Sequence, residues 1–135
     1  MLPRKDWPKG PWDNEPNELK WRDKETGLQC YIRRNDFGAL LGYVNIPQKH
    51  WLYEVYHFDC DHIHGGITFC GFIDEKWYIG YDCAHGYDFA PGLGYGLNCA
   101  PATAYKTINY VKFNCKILAK YLKNHEKQLK LVMKD

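Results

Sequence analysis

The chain has 135 residues, of which 45% are hydrophobic and 25% are charged. This length suits one domain and is too short for two ordinary ones, and the composition excludes a disordered chain. No apolar run approaches the roughly 20 residues that a membrane helix needs, and the N-terminus lacks the apolar stretch of a secretion signal. We therefore expect a soluble cytoplasmic protein without a membrane partner.

The net charge of +2 hides an uneven distribution along the chain. Residues 102–135 carry eight lysines and only two acidic residues, a net charge of +6, whereas residues 1–101 carry a net charge of −4. A basic segment of this kind meets phosphates, an acidic protein or only solvent. The charge pattern therefore allows an anionic partner without identifying one.

Cysteine and aromatic residues are both frequent. The six cysteines include no Cys-x-x-Cys pair, and nothing in the sequence directs export, so we expect free thiols and not disulfides. Aromatic residues make up 16% of the chain, which is more than a small core hides easily. Some of them are expected at a groove or an interface, and we predict a homo-oligomer.

Residues 1–27 are predicted to be an extended arm outside the main domain, which spans residues 28–135. Four prolines in this segment break any helix. Three tryptophans alternate with charged residues, so the arm is either loose or pinned to the domain by its indole rings. The prolines and tryptophans are Pro3, Trp7, Pro8, Pro11, Trp12, Pro16 and Trp21.

Four runs rich in β-branched and aromatic residues predict strands at 29–33, 40–46, 66–72 and 76–82. Residues 73–75, which separate the last two runs, have a length suited to a tight hairpin. The strands are followed by residues 84–101, where four glycines and two prolines predict a long loop without regular structure.

The C-terminal segment predicts one long amphipathic helix that starts near Pro101. Its apolar positions are spaced by three and four residues, which places them on one face. They are Ala104, Ile108, Val111, Cys115, Leu118 and Leu122. Beyond Asn124 the pattern weakens, and the tail is expected to fray. The fold class is therefore α+β, a small antiparallel sheet covered by one long C-terminal helix.

Two polar clusters occur at the ends of neighbouring predicted strands. The first includes His62 and His64, whose rings would project to the same side if this segment were extended. The second follows the fourth predicted strand and contains Asp82, His85 and Asp88. Because a single hairpin separates the clusters, they are expected to meet at one edge of the sheet.

Three chemical interpretations of these clusters are open. His62, His64, His85, Asp82 and Asp88 are acceptable ligands for zinc, manganese or iron, although their spacing matches no strong metal signature. Cys83 paired with His85 or His64 could act as a nucleophile. Against all three stands a structural explanation without any function, in which each histidine only hydrogen-bonds a loop carbonyl.

The third interpretation is a binding pocket without chemistry. Glycines after His64 let backbone amides approach an anion, and the aspartates accept hydrogen bonds from ribose or base. Aromatic side chains in reach for stacking on a base are Trp77, Tyr81, Tyr87 and Phe89. Arg33, Arg34 or lysines could neutralise phosphate, and residues 47–53 are a candidate flap. The predicted ligand-binding residues are His64, Gly65, Gly66, Thr68, Tyr81, Asp82, His85 and Asp88.

Several segments together resemble a set of small proteins encoded by phages and prophages. They are Gly-Tyr-Val-Asn-Ile-Pro at 42–47, His-Gly-Gly-Ile-Thr-Phe at 64–69 and Gly-Tyr-Asp-Cys-Ala-His at 80–85. The similarity covers about residues 40–122, including a Tyr-Val pair at 110–111, and leaves out residues 1–27. It implies a phage protein inside a host bacterial cell and assigns no catalytic residue.

Three functional hypotheses follow for a protein of this size in that setting. The leading one is a nucleotide-binding protein that sequesters a host defence signal without needing to cleave it. The second is a metal- or His-dependent hydrolase of a phosphate or glycosidic bond. The third is a protein-binding inhibitor of a host defence component, acting through the basic helix or the Trp-rich arm.

Overall fold

One antiparallel sheet and one long helix make up the fold, as the sequence predicts. The structure is a computed structural model that describes residues 1–126. The five strands are β1 (Glu18–Arg22), β2 (Gln29–Arg34), β3 (Leu40–Asn45), β4 (Phe69–Ile73) and β5 (Lys76–Asp82). They are ordered β1-β2-β3-β5-β4, and every neighbouring pair is antiparallel.

The α-helices of residues 1–126 are the single-turn α1 (Gly94–Leu97) and the long α2 (Ile108–Asn124). Helix α2 packs on one face of the sheet, where Val44 pairs with Ile79 in the central strands. The apolar stripe that the sequence predicts is fully buried from Val111 to Leu122. Burial of this stripe against the sheet forms the main core.

Helix α2 begins at Ile108, later than the predicted start near Pro101. The Thr107 hydroxyl accepts a hydrogen bond from the backbone N–H of Tyr110 and caps the helix. Residues Ala102–Ala104 form a separate 3₁₀ turn because the chain is extended at Tyr105. The helix ends at Asn124, and residues 125 and 126 form a turn. The rest of the tail that was predicted to fray, residues 127–135, lies outside the described residues.

Strand β4 begins at Phe69, three residues later than predicted, because Gly65 and Gly66 have positive φ angles and form a turn. The tight hairpin between β4 and β5 is confirmed. Asp74 and Glu75 both have positive φ angles, which is the backbone conformation of a two-residue type I′ turn.

Residues 1–27 are not an extended arm throughout. They contain 3₁₀ turns at Arg4–Asp6 and Pro11–Asn14, and they end in β1, an edge strand that the sequence analysis did not predict. Trp12 is buried and stacks on Phe89 with ring centroids 5.5 Å apart. The segment is therefore pinned to the domain and shares its sheet and core.

A buried ion pair ties this N-terminal segment to the sheet and to α2. The Glu15 carboxylate lies 3.4 Å from the Arg34 guanidinium and accepts a hydrogen bond of 2.8 Å from the backbone N–H of Ile108. Arg34 also donates to the hydroxyl of Tyr105 over 2.7 Å. Glu15 thus caps α2 from a position 93 residues earlier in the chain.

The predicted loop at 84–101 is only partly irregular. It contains a 3₁₀ turn at Pro91–Leu93 followed by α1. The Asn98 side chain accepts a hydrogen bond from the backbone N–H of Ala90 and donates one to its carbonyl. The amide of Asn98 satisfies polar groups that a glycine-rich loop would otherwise expose. This explains why a segment with four glycines keeps short helical turns.

All six cysteines are free thiols, as predicted, and only Cys99 is exposed. Within residues 1–126, no helix has both the length and the apolar character needed to cross a membrane.

Candidate functional site

Two histidine rings converge on one carboxylate where β5 ends. The Nε2 atom of His64 lies 2.9 Å from Oδ2 of Asp88, and the Nδ1 atom of His85 lies 3.1 Å from the same oxygen. The Asp88 side chain is only 1% exposed, whereas that of His85 is 23% exposed. The two polar clusters that the sequence places at neighbouring strand ends therefore meet, as expected. We call His64, His85 and Asp88 the central triad.

A tight turn directly after β5 holds His85 and Asp88 together. The backbone N–H of Asp88 donates to the carbonyl of His85 over 2.9 Å. The backbone N–H of His85 donates in return to Oδ2 of Asp88 over 3.1 Å. An aspartate that accepts from the backbone in this way fixes both its own rotamer and the turn.

Helix α2 positions His64 through two side chains. The buried Asn114 amide oxygen accepts a hydrogen bond of 2.9 Å from the backbone N–H of His64. The Tyr110 hydroxyl lies 2.8 Å from Nδ1 of the His64 ring. The Asn114 amide group also donates to the carbonyl of Tyr110, so one turn of α2 fixes both backbone and ring of His64.

Gly65 makes room for the His85 ring. A Cβ atom at residue 65 would lie 2.5 Å from Nε2 of His85 and closer still to its Cε1 atom. The residue also has a φ of +69°, which glycine adopts without steric cost. Gly66 has a similar φ of +78°, but a Cβ there would meet nothing within 4 Å.

Hydrogen-bond donors and one ammonium group surround the Asp88 carboxylate. Burial alone would raise the pKa of Asp88, but hydrogen bonds from the His64 ring and from the backbone and ring of His85 outweigh it and lower that pKa. The ammonium group of Lys106 lies 3.3 Å from Oδ1 and forms an ion pair with it. Asp88 is therefore ionised at neutral pH.

The charge of Asp88 defines which ring nitrogens carry protons. An ionised carboxylate only accepts hydrogen bonds, so Nε2 of His64 and Nδ1 of His85 donate to it. In neutral His85 the lone pair is then on Nε2, which has no hydrogen-bond partner within residues 1–126. This nitrogen can accept a proton or a hydrogen bond from a ligand.

Two tyrosine rings border the central triad. Tyr87 is 56% exposed and stacks in parallel on the His85 ring, with centroids 5.0 Å apart. Tyr110 is partly exposed and contacts the edge of the His64 ring. Aromatic faces at this place can stack on a planar ligand group.

Two of the predicted ligand-binding residues lie away from the central triad. Tyr81 is 1% exposed and points under α2, where its hydroxyl donates to the carbonyl of Val111 over 2.6 Å. Thr68 follows the turn and lines a separate cavity with Tyr56 and Cys70. Strand alternation directs Tyr81 to the helix side, which excludes the predicted stacking role.

Asp82 lies at the border of the site. Its Oδ1 atom accepts a hydrogen bond from the backbone N–H of Ala84 and lies 3.7 Å from Nδ1 of His85. Its main role is thus to close the turn after β5, and it adds a second negative charge near Nδ1 of His85.

Other residues considered for stacking or phosphate binding are occupied elsewhere. Trp77 and Phe89 are buried in the cores, so neither can stack on a ligand. Arg34 forms the buried ion pair with Glu15, and Arg33 donates to the Tyr43 hydroxyl over 3.2 Å. Of the aromatic residues named for stacking, Tyr87 is exposed beside the central triad, and Tyr110 and Lys106 also border it.

The predicted partnership of His62 with His64 is wrong. Residues 62–64 form a turn instead of an extended segment, and the His62 ring lies near Tyr121, with centroids 6.1 Å apart. The group of residues in 1–126 with metal-ligand geometry contains the central triad without His62 and Asp82.

The predicted nucleophilic role of Cys83 is also wrong. Its thiol is buried, and burial, followed by the charges of Asp88 and Asp82, raises its pKa well above the usual value. A thiol in this environment does not ionise near neutral pH and is not an effective nucleophile.

The candidate flap at 47–53 lies at the far end of α2 from Tyr110. The His50 ring is buried between the carbonyl of Leu122 and the backbone N–H of Leu52. Trp51 donates to the carbonyl of His125. The segment is packed against the helix and does not cover the site.

Sequence reasoning missed the contribution of α2 to the site. Lys106, Tyr110 and Asn114 are spaced by four residues, and this spacing places Tyr110 and Asn114 on one side of the helix. The signal was a buried asparagine beside the apolar stripe, because a polar residue at such a position needs a hydrogen-bond partner.

Comparison with protein-family models, with curated proteins and with solved structures found no match to this chain.

Proposed function

We propose that the protein binds a nucleotide at the central triad and sequesters it, and that this nucleotide is a host defence signal. The observation that carries the proposal is the exposed Tyr87 ring stacked on His85 beside the cationic Lys106. This combination offers an aromatic face for a base and positive charge for a phosphate within one small area.

Lys106 is the cationic group of the site and could pair with an anionic ligand. Asp88 is one buried negative charge shared by Lys106 and two imidazoles, which gain positive charge when protonated. Nε2 of His85 could accept a hydrogen bond from a ribose hydroxyl or a base amino group.

The resemblance to small phage and prophage proteins supports the biological part of the proposal. Such proteins act inside the host bacterial cell, where defence systems use nucleotide signals. A binding site without an evident nucleophile suits sequestration better than turnover, because the Cys83 thiol is buried.

Calorimetric titration with a panel of cyclic and ADP-ribose-derived nucleotides tests the proposal. We expect saturable binding of at least one nucleotide, and mass spectrometry of the ligand released by denaturation should show it intact. Tyr87→Ala should weaken binding by about 1–3 kcal/mol if the base stacks on this ring. Absence of saturable binding across the panel would refute the proposal.

Tyr56→Ala is the matched control for Tyr87→Ala. Tyr56 is similarly exposed but packs on Trp77, at the start of β5 and not at its end. Its removal should leave nucleotide affinity unchanged. Equal losses in both variants would mean that the ligand does not bind at the central triad.

A second candidate function is a hydrolase of a phosphate or glycosidic bond. The favouring observation is the hydrogen bond from His85 Nδ1 to Asp88, which leaves Nε2 of His85 as an oriented base for a water molecule. Product formation from the same nucleotide panel tests it. His85→Gln should abolish turnover, and a ligand recovered intact from the wild-type protein would exclude it for that ligand.

A protein-binding inhibitor is the third candidate, supported by the lysines on the outer side of α2. Replacing Lys112, Lys116 and Lys120 with Glu should abolish inhibition of a defence protein and leave nucleotide binding largely intact. The predicted homo-oligomer stays a prediction, which light scattering of the purified protein tests.

A further inference from the structure

We propose that the central triad binds one divalent transition-metal ion of the zinc class, held by Nε2 of His64, Nδ1 of His85 and an oxygen of Asp88. One ligand atom from each residue lies within 4.8 Å of the other two. Two imidazole nitrogens and one carboxylate form a donor set that zinc and iron(II) accept in proteins, with further coordination positions left open.

The spacing of the ligand atoms suits a shared ion. Two ligands that are each about 2.1 Å from a metal are about 3.0–3.4 Å apart for octahedral or tetrahedral angles. The two measured separations from Asp88 Oδ2 are 2.9 Å to His64 and 3.1 Å to His85. Small adjustments of the side chains would therefore place an ion between them.

An independent observation is the second oxygen of Asp88. Oδ1 is buried and has no hydrogen-bond partner within residues 1–126, although Lys106 forms an ion pair with it. Buried acceptors in native proteins normally have a hydrogen-bond partner, so this oxygen keeps the capacity to bind a cation or a water molecule. A metal on the carboxylate would satisfy this requirement.

The surroundings of His64 match an outer shell of a metal site. A ligating imidazole is neutral and carries its proton on the nitrogen that does not bind the metal. On metal binding, the His64 proton would move from Nε2 to Nδ1 and be donated to the Tyr110 hydroxyl, which lies 2.8 Å away. The His85 proton would move to Nε2 in the same way, so neutral rings release no net proton.

The positive charge of Lys106 is expected to lower the affinity of the triad for a metal ion. Its ammonium group beside Asp88 reduces the negative charge that attracts a metal. Removing this charge with Lys106→Met should therefore tighten metal binding. If no metal ion bound at Asp88, Lys106→Met would not change the zinc affinity.

Zinc titration of chelator-treated protein tests the inference, with a competing fluorescent chelator as the readout and cobalt(II) absorption as a second one. We expect one ion per chain. Tyr110→Phe removes a hydrogen-bond partner of a ligand and should weaken zinc binding about 10-fold. Asp88→Asn and His64→Gln alter the ligands themselves and should each weaken it more, by about 100-fold.

His62→Gln is the control variant, because His62 is an exposed histidine two residues from His64 in the sequence and outside the triad. Its zinc affinity should equal that of the wild type. Circular dichroism of each variant without metal checks that the fold is kept. Binding of less than one ion, or an affinity that Asp88→Asn leaves unchanged in a folded protein, would overturn the inference.

The titration needs no nucleotide, so its failure leaves the proposed nucleotide binding testable on metal-free protein. Conversely, zinc binding without nucleotide binding would keep the metal site and refute sequestration.

Discussion

The contact between residue 65 and the His85 ring gives a sharp test of the site geometry. In Gly65→Ala, the new methyl group would occupy the place of the His85 ring edge, 2.5 Å from Nε2. Because the ring is the outer end of a partly exposed side chain, we expect it to swing away. It would then lose its hydrogen bond to the ionised Asp88.

The cost has two parts. Alanine at a φ of +69° costs about 1 kcal/mol relative to glycine. Loss of a hydrogen bond to a charged group adds about 1.5–3 kcal/mol. Gly65→Ala should therefore lower the free energy of unfolding by about 2.5–4 kcal/mol.

Gly66→Ala is the matched control. Gly66 has a φ of +78°, so it bears the same backbone cost, but a methyl group there meets nothing within 4 Å. We expect it to lower the free energy of unfolding by only about 1 kcal/mol. Urea unfolding measures both losses. Zinc or nucleotide titration should show weakened binding in Gly65→Ala alone. Equal destabilisation of the two variants, with unchanged binding, would refute the placement of His85 over residue 65.

Three further predictions concern stability. Arg34→Met should cost about 3–5 kcal/mol in urea unfolding because it leaves the Glu15 carboxylate buried and unpaired. Adding Glu15→Met should recover part of that loss, and no recovery would contradict the ion-pair argument. Tyr81→Phe should cost about 1–1.5 kcal/mol through the lost hydrogen bond to the helix backbone, without change in nucleotide affinity. Burial lowers the pKa of His50 below its usual 6.5, so the unfolded chain takes up a proton that the folded state does not. The free energy of unfolding should therefore fall as the pH drops through 6.5, and His50→Gln should lose this part of the pH dependence.

Local patterns in the sequence were sufficient for three strands of the central domain and for the buried face of its long helix. Alternation of β-branched and aromatic residues predicts β2, β3 and β5 to within one residue, and the apolar spacing predicts the buried stripe of α2. Such patterns depend on neighbours within one strand or one helical turn, which the sequence displays directly.

Contacts between distant residues could not be predicted in this way. Strand β1 is defined by pairing with β2 and not by its own short run of residues. In the site, convergence at one sheet edge placed His64 near His85 and Asp88, but alternation also turned Tyr81 into the core. The contributions of Tyr110 and Asn114 depend on how α2 crosses the sheet, which no local pattern specifies.

The carboxylate of Glu15 at the start of α2 has a consequence for how the chain folds. The backbone N–H of Ile108, in the first turn of the helix, donates to the carboxylate of a residue 93 positions earlier. This hydrogen bond forms only when both parts of the chain have docked. We expect this closure to be a late step, so that pulsed hydrogen exchange during refolding would protect the amide of Ile108 after those in the middle of the helix.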